Sequence, residues 1–318
     1  MESMPLSRAV RRREALALLT GAAVAAPASF LPRGGFALEL APADPSALNL
    51  GVGIDDASRV TVPMSIAGQG PFTFLVDTAS QRTVIAAELA GQLGLAEGPT
   101  VTVHTLSGAV DVGTAILPKF EIEGRGLAPK AAPKFAQRHI GAMGMLGLDA
   151  LRSQRVVLNL RDASMAINAE PVVAPDWEGD TILGTARSRL GQLILTNAGL
   201  GLNDDSISVI IDTGAQFSVG NDALRRFILR AGGLGDVQKM DLYSVTGTTT
   251  VADYIVVRQL RVGGMVIRNL PVAFADVHPL RQLGLNREPA LLLGMDALRQ
   301  FDQIGLNFSR RTVTFYWS

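Results

Sequence analysis

Two short stretches of the 318-residue chain deliver a carboxylate to the end of an apolar strand. The first reads Phe74-Leu75-Val76-Asp77-Thr78-Ala79-Ser80, and the second reads Val209-Ile210-Ile211-Asp212-Thr213-Gly214-Ala215. An apolar run bounded by a turn signal is the pattern of a buried strand. Each Asp is therefore carried to a place where charge is costly unless it is paired or hydrogen-bonded. Taken singly, either could be a turn former, because Asp and Thr side chains bond nearby backbone. Two copies in matched surroundings point instead to a pair of carboxylates. Two such groups held close together cannot both ionise, so they share one proton and offer an acid and a base at one place.

The elements that must position the pair are also written twice. After Asp77 come Thr105-Leu106-Ser107-Gly108 and then Met145-Leu146-Gly147-Leu148-Asp149-Ala150-Leu151-Arg152. After Asp212 come Ser244-Val245-Thr246-Gly247 and then Leu292-Leu293-Gly294-Met295-Asp296-Ala297-Leu298-Arg299. The separations are 135 (212 − 77), 139 (247 − 108) and 147 (294 − 147), so order is kept and spacing drifts only by loop-sized insertions. The unit is too long for a solenoid repeat of roughly 20–50 residues. Two homologous lobes facing each other would bring Asp77 and Asp212 together on a pseudo-twofold axis.

This arrangement resembles the aspartic proteases of the pepsin and retropepsin type: Asp-Thr-Gly or its near match in each half, a glycine-tipped hairpin, then two apolar residues and Gly. The resemblance covers nearly all of the chain after the leader. It implies an all-β fold, two homologous retropepsin- or pepsin-like β-barrel lobes in one chain with a few short helices. It further implies an aspartic endopeptidase with catalytic Asp77 and Asp212, a water activated between them, and a polypeptide substrate held in the inter-lobe cleft. Neither metal nor organic cofactor is expected. Thr78 and Thr213 are expected to reach across and lock the two loops, with Ala79, Ser80, Gly214 and Ala215 completing the turns. Ser107, Gly108, Thr246 and Gly247 are expected at the tips of two substrate flaps, which suits a fused retropepsin-like pseudo-dimer acting as a monomer. The departure is Ala79, where the family has Gly. A methyl there is tolerable at negative φ and costs about 1–2 kcal/mol at positive φ. A second reading follows from it: an inactive bilobal module that keeps the cleft to bind peptides or a protein. A glycosidase using the same two acids is a third, distinguished by a wider carboxylate separation of about 5 Å or more.

Composition narrows the field. Hydrophobic residues make up 47% and charged ones 18%, enough apolar material for large cores. Lys+Arg and Asp+Glu are both 29, so there is no basic field to suggest nucleic acid as a partner. The chain has no cysteine, which removes thiol chemistry and disulfides. His104, His139 and His278 are scattered without metal-like spacing, and no Gly-x-Ser-x-Gly elbow is present.

In chain order, residues 1–37 read as an export signal. Arg11-Arg12-Arg13 precede an apolar stretch too short to span a bilayer, and Arg12-Arg13 resembles a twin-arginine signal. A periplasmic or secreted, bacterial location without a stable membrane span is the expectation. The first lobe is expected over 38–172, an inter-lobe linker over 173–190 around Pro171 and Pro175, and the second lobe over 191–318. A turn at 67–71 should join strands 60–66 and 72–76. Helices are expected over 86–95 and 221–231, the latter capped by Asn221. Asp149 and Asp296 read as helix N-caps, Asp204-Asp205 as a solvated turn, and residues 312–317 as a final strand.

Overall fold

A computed structural model describes residues 48–51, 53–54, 59–122, 125–127, 130–151, 154–161, 164–168, 181–201, 206–232, 237–263 and 265–316. The expected leader and the Asp204-Asp205 turn lie outside them. The described chain is mostly strand, with six short helices.

Each lobe lays down the same seven strands in the same spatial order. In the first, the order is Glu97–Thr105, Gly108–Leu117, Lys130–Phe135, Val84–Ala86, Gly144–Leu146, Gln69–Val76 and Val60–Ile66. In the second it is Gln238–Tyr243, Thr249–Val262, Met265–Phe274, Ser218–Gly220, Ala290–Leu293, Ile207–Ile211 and Gln192–Gly199. The duplication read from the sequence is thus a duplication of topology: all-β, in two lobes. Alternation drives the local choice. Val60–Ile66 is buried at Val60, Val62, Met64 and Ile66, the period-2 face of a strand on a core. Phe74, Leu75 and Val76 are all fully buried, as a strand covered on both faces must be.

The strands bearing the two Asp residues are central. Phe74–Val76 pair in parallel with Gly144–Leu146, and Ser208–Ile211 pair in parallel with Ala290–Leu293. Asp77 N donates to Leu146 O at 3.0 Å and Asp212 N to Leu293 O at 3.0 Å, so the last ladder bond in each lobe sets the Asp itself. Parallel pairing needs a long crossover, which is why the Leu-Gly-x-Asp segments recur so far downstream of each Asp.

Three expectations change. The first hairpin turns at Ala67-Gly68, both with positive φ, and its return strand starts at Gln69 rather than 72, because a two-residue turn of that hand matches strand twist. Of the expected linker, residues 181–189 are strand Thr181–Arg189, paired with Thr312–Tyr316 on one side and Gln192–Gly199 on the other. Together with Thr312–Tyr316, Leu48–Gly51, Ser164–Asn168, Arg155–Asn159 and Gln303–Asn307 it makes six adjacent strands that tie the halves, Arg155–Asn159 pairing directly with Gln303–Asn307 and Thr181–Arg189 leading into the second lobe. The third concerns Asp149 and Asp296, which are second residues of Leu148–Leu151 and Met295–Leu298 rather than N-caps. Asn221 is the cap expected of it: its Oδ1 accepts from Leu224 N at 2.8 Å at the head of Asp222–Arg230.

Candidate active site

The site begins with two identical turns. Asp77 Oδ1 accepts from Ala79 N at 2.9 Å and Ser80 N at 2.8 Å. Asp212 Oδ1 accepts from Gly214 N and Ala215 N, both at 3.1 Å. In each turn one carboxylate oxygen is anchored by two backbone amides, and the side chain is pinned to its own loop. Ser80 and Ala215 therefore contribute their N–H groups; the Ser80 hydroxyl donates elsewhere, to Arg82 O at 2.8 Å.

The turns are held to each other by their threonines. Thr78 Oγ1 donates to Ile211 O at 2.7 Å, and Thr213 Oγ1 donates to Val76 O at 2.6 Å. Each hydroxyl also accepts the other residue's amide, Thr78 N to Thr213 Oγ1 and Thr213 N to Thr78 Oγ1, both at 3.2 Å. Four reciprocal bonds, buried with Thr213 at 0% and Thr78 at 4% exposure, leave each loop no freedom to slide past the other. Hydrogen bonds this buried have no water to exchange with, so losing one leaves an orphaned group.

A second layer locks each turn from below. Thr83 N and Oγ1 donate to Asp149 Oδ1 at 2.8 and 2.7 Å, while Ser218 N and Oγ donate to Asp296 at 3.0 and 2.7 Å. The same hydroxyls accept from Gly147 N and Gly294 N. This is what the two helix-start acids do: they hold the strand that follows each Asp turn.

Gly214 explains why the second turn needs glycine. Its φ is not left-handed; the constraint is space. A Cβ on it would lie 2.5 Å from Asp77 Cγ and 2.5 Å from Asp77 Oδ2. The backbone beside Asp212 thus runs against the carboxylate of Asp77, which brings the two turns into one place. Ala79 is likewise not left-handed, so the strain that a methyl would carry at positive φ is not incurred. Its carbonyl accepts from Gln192 Nε2 of the second lobe.

Electrostatics follow from burial. Asp77 and Asp212 are 7% and 8% exposed. Burial raises the pKa of Asp77, opposed first by the amides of Ala79 and Ser80 and then by the charge of Arg59. Asp212 is pushed up to about 8, by burial first and the negative charge of Asp77 second, again opposed by its turn amides and Arg59. A group that keeps its proton through burial and its neighbour's charge is one half of a coupled pair.

A model of the aspartyl protease family matches residues 62–150 and again residues 199–297. The chain belongs to the aspartyl protease family. No curated protein matches it in sequence. The two matched segments are the two lobes, and each contains one of the Asp turns. As a family member the chain therefore carries both halves of a protease-like fold in a single polypeptide.

The glycine-tipped hairpins of this aspartyl protease fold stand where the repeat puts them. Glu97–Thr105 and Gly108–Leu117 turn through Leu106 and Ser107; Gln238–Tyr243 and Thr249–Val262 turn through residues 244–248, closed by Gly247 N donating to Ser244 O at 2.9 Å. Each tip rests on the opposite lobe. Leu106 packs on the second-lobe cluster that contains Val277 and Leu280, and its carbonyl accepts from His278 N at 3.3 Å. Gly247 lies against the ring of His139, where a Cβ would be 2.4 Å from Cε1. A cavity of about 110 Å³ lies between the first hairpin and the Asp77 turn, bounded by Ala79, Arg82, His104, Gln192, Pro279 and Gln282.

Four contributors were not evident from motif reading. Arg59 and Gln192 occupy equivalent strand starts, each two residues before the position that pairs with the residue two short of its lobe's Asp. Their partners are backbone carbonyls, Ile140 O for Arg59 and Ala79 O for Gln192, which leave no mark in composition. His139 and His278 did leave one: Phe135-Ala136-x-x-His139 and Phe274-Ala275-x-x-His278 repeat at 139 residues, the same offset as the two hairpin tips. Among the described residues no group of three or more His, Cys, Asp or Glu side chains could hold a metal ion, and no helix is long and apolar enough to cross a membrane.

Proposed function

We propose that the chain is an aspartic-type endopeptidase and that Asp77 and Asp212 are its catalytic pair. The observation that carries this reading is the reciprocal Thr78–Thr213 bonding, which fixes the two Asp turns against each other while burial and mutual charge leave them one proton to share. In the free site the proton is assigned to Asp212, which burial and the negative charge of Asp77 both raise, and Asp77 is the base. Asp77 takes a proton from a water as its oxygen attacks the scissile carbonyl; Asp212 gives its proton to the carbonyl oxygen, forming a neutral gem-diol. Asp77 then returns its proton to the leaving nitrogen, the C–N bond breaks, and a diol proton restores Asp212. Oδ1 of each Asp, already bonded to two amides, does not move during these transfers, so little reorganisation is required.

The two hairpins serve as flaps over an extended peptide bound by strand addition. The non-left-handed backbone of Ala79 supports activity over the inactive binding-module reading, because no strain is imposed on the Asp77 turn. Residues 1–37 are proposed to export the folded chain, with a periplasmic or secreted destination.

The test is cleavage of an unfolded, reduced and alkylated polypeptide across pH 3–8. The wild type is expected to cut it, and Asp212→Asn and Asp77→Asn are each expected to lower the rate by about 10³-fold or more. Undiminished cutting by either variant would assign the activity to other residues.

A further inference from the structure

The two flap tips are held by equivalent histidines of the opposite lobes, but not in the same way. We propose that His278 and His139 are positioning residues for the flaps, and that the His104–His278 contact makes the hold on the first flap releasable by a proton. The proposal rests on the reading of these hairpins as flaps.

At the first flap, His104 Nδ1 and His278 Nε2 are 2.8 Å apart, with the rings stacked at 5.0 Å between centroids. The tautomer follows from the neighbour on the other side. Arg281 Nη2 lies 3.3 Å from His278 Nδ1, and a guanidinium can only donate. With His278 Nδ1 accepting, its hydrogen is on Nε2, which donates to a neutral His104; in this tautomer the Gln282 amide, whose nitrogen is 3.4 Å from the same Nε2, turns its oxygen towards it. One proton more breaks this chain wherever it lands. On His104 Nδ1 it sets N–H against N–H; on His278 Nδ1 it sets N–H against the guanidinium.

The charged groups facing the pair do not absorb the new cation. On the helix of His278 there is Arg281, and just before it Asp276, which already pair with each other, while Gln282 contributes a neutral amide. From the Asp77 turn, Arg82 borders the same cavity. His278 is accordingly held below the ordinary imidazole range, first by partial burial, then by His104 and Arg281, with Asp276 opposing. A group depressed in the docked state favours docking when neutral. The hold is complete above the ordinary histidine pKa of about 6.5 and is lost as pH falls below it.

At the second flap the residue matching His104 is Tyr243, which is 65% exposed. His139 there packs on the backbone of Gly247, and Val245, the match of Leu106, is half-buried against the main apolar cluster. There is no ring-to-ring hydrogen bond to break. Glu88 accepts from Gln137 N at 2.8 Å, two residues before His139. Acid thus loosens one flap and leaves the other docked, and the cleft opens from one end.

Because the chain has no cysteine, spin labels can be placed cleanly. Pulsed electron resonance on the full Asp212→Asn chain would read Ser107→Cys with Gln300→Cys for the first flap, and Thr248→Cys with Gln92→Cys for the second. Between pH 8 and pH 5 the first pair should gain a longer distance, its docked-to-open ratio falling about tenfold or more, while the second pair stays unchanged. The double variant His104→Gln/His278→Gln leaves no ring to protonate and should keep the first flap docked at pH 5. Identical first-flap distances at both pH values in the parent chain, or a lengthening that persists in the double variant, would overturn the proposal. Turnover is a separate readout: cleavage by the wild type with fixed flap distances removes the catch alone, and a working catch without any cleavage removes the protease reading alone.

Discussion

Set side by side, the two lobes agree in the side chains that fix the two Asp turns and differ at several positions around them. Thr78 matches Thr213, Thr83 matches Ser218, and Asp149 matches Asp296, with the same bonds at nearly the same distances. Against these stand Ala79 and Gly214, Arg59 and Gln192, His104 and Tyr243. In an assembly of two identical chains both halves of a site must be alike. Fusion removes that requirement, and the differences mark where this chain has used the freedom. The matched half holds the two Asp turns to each other; under the proposed function, the divergent half would let the site tell substrate ends and flaps apart.

The comparison can be broken most forcefully at position 214. Gly214→Ala puts a methyl into the carboxylate of Asp77, which two amides hold in place. Displacing a reacting group by about 1 Å costs on the order of 100-fold in rate, and at least that loss is expected. Ala79→Gly at the matched turn should stay within about 1 kcal/mol of wild-type stability, with the Asp77 turn intact. Urea denaturation and peptide hydrolysis on both variants check this. Equal effects at 79 and 214 would mean that the turns are interchangeable after all.

Next come the threonines, where the lobes should behave alike. Thr213→Val strips Val76 O of its donor and Thr78→Val does the same to Ile211 O, each at about 1–3 kcal/mol. The measurement is the urea midpoint, with Ser at either position recovering most of the loss because it restores the hydroxyl.

Smaller still is the effect of pH on stability. Burial raises both acids, so between about pH 4 and pH 8 the folded protein holds protons that an unfolded chain has released. Stability from this source is full below the ordinary Asp range and declines as pH rises towards 8. Asp212→Asn should flatten that decline in a series of urea midpoints. The mildest change expected is Arg59→Gln, which removes a charge that lowers both acids and should move the alkaline limb of the activity profile upward. Gln192→Arg, at the equivalent position of the second lobe, should move it downward.

Much of this was legible in the chain because duplication preserves order. The two Asp strands, both hairpin tips and the Leu-Gly-x-Asp segments recur at offsets of 135, 139 and 147 residues, so the fold and the residues proposed for the site could be read together. What escaped was set by distant backbone. Strand Thr181–Arg189 sits in proline-bearing surroundings, and its partner Thr312–Tyr316 lies far along the chain. Gln192 and Arg59 bond carbonyls, which every residue possesses. The objection to Ala79 assumed that glycine serves backbone conformation in this turn; at its counterpart Gly214 it serves proximity to a carboxylate. The histidines looked scattered because metal spacing was sought rather than repeat spacing.

The claim on which the rest depends is that the two lobes hold one proton between them. Carbon-detected NMR of the Asp side-chain carboxyls, in the wild type and in Asp212→Asn, tests it without reference to any substrate. The account predicts a carboxyl assigned to Asp212 that titrates near pH 8 in the wild type, and an Asp77 titration that moves when Asp212 becomes Asn. Two carboxyls titrating independently in the ordinary Asp range, each indifferent to loss of the other, would contradict it.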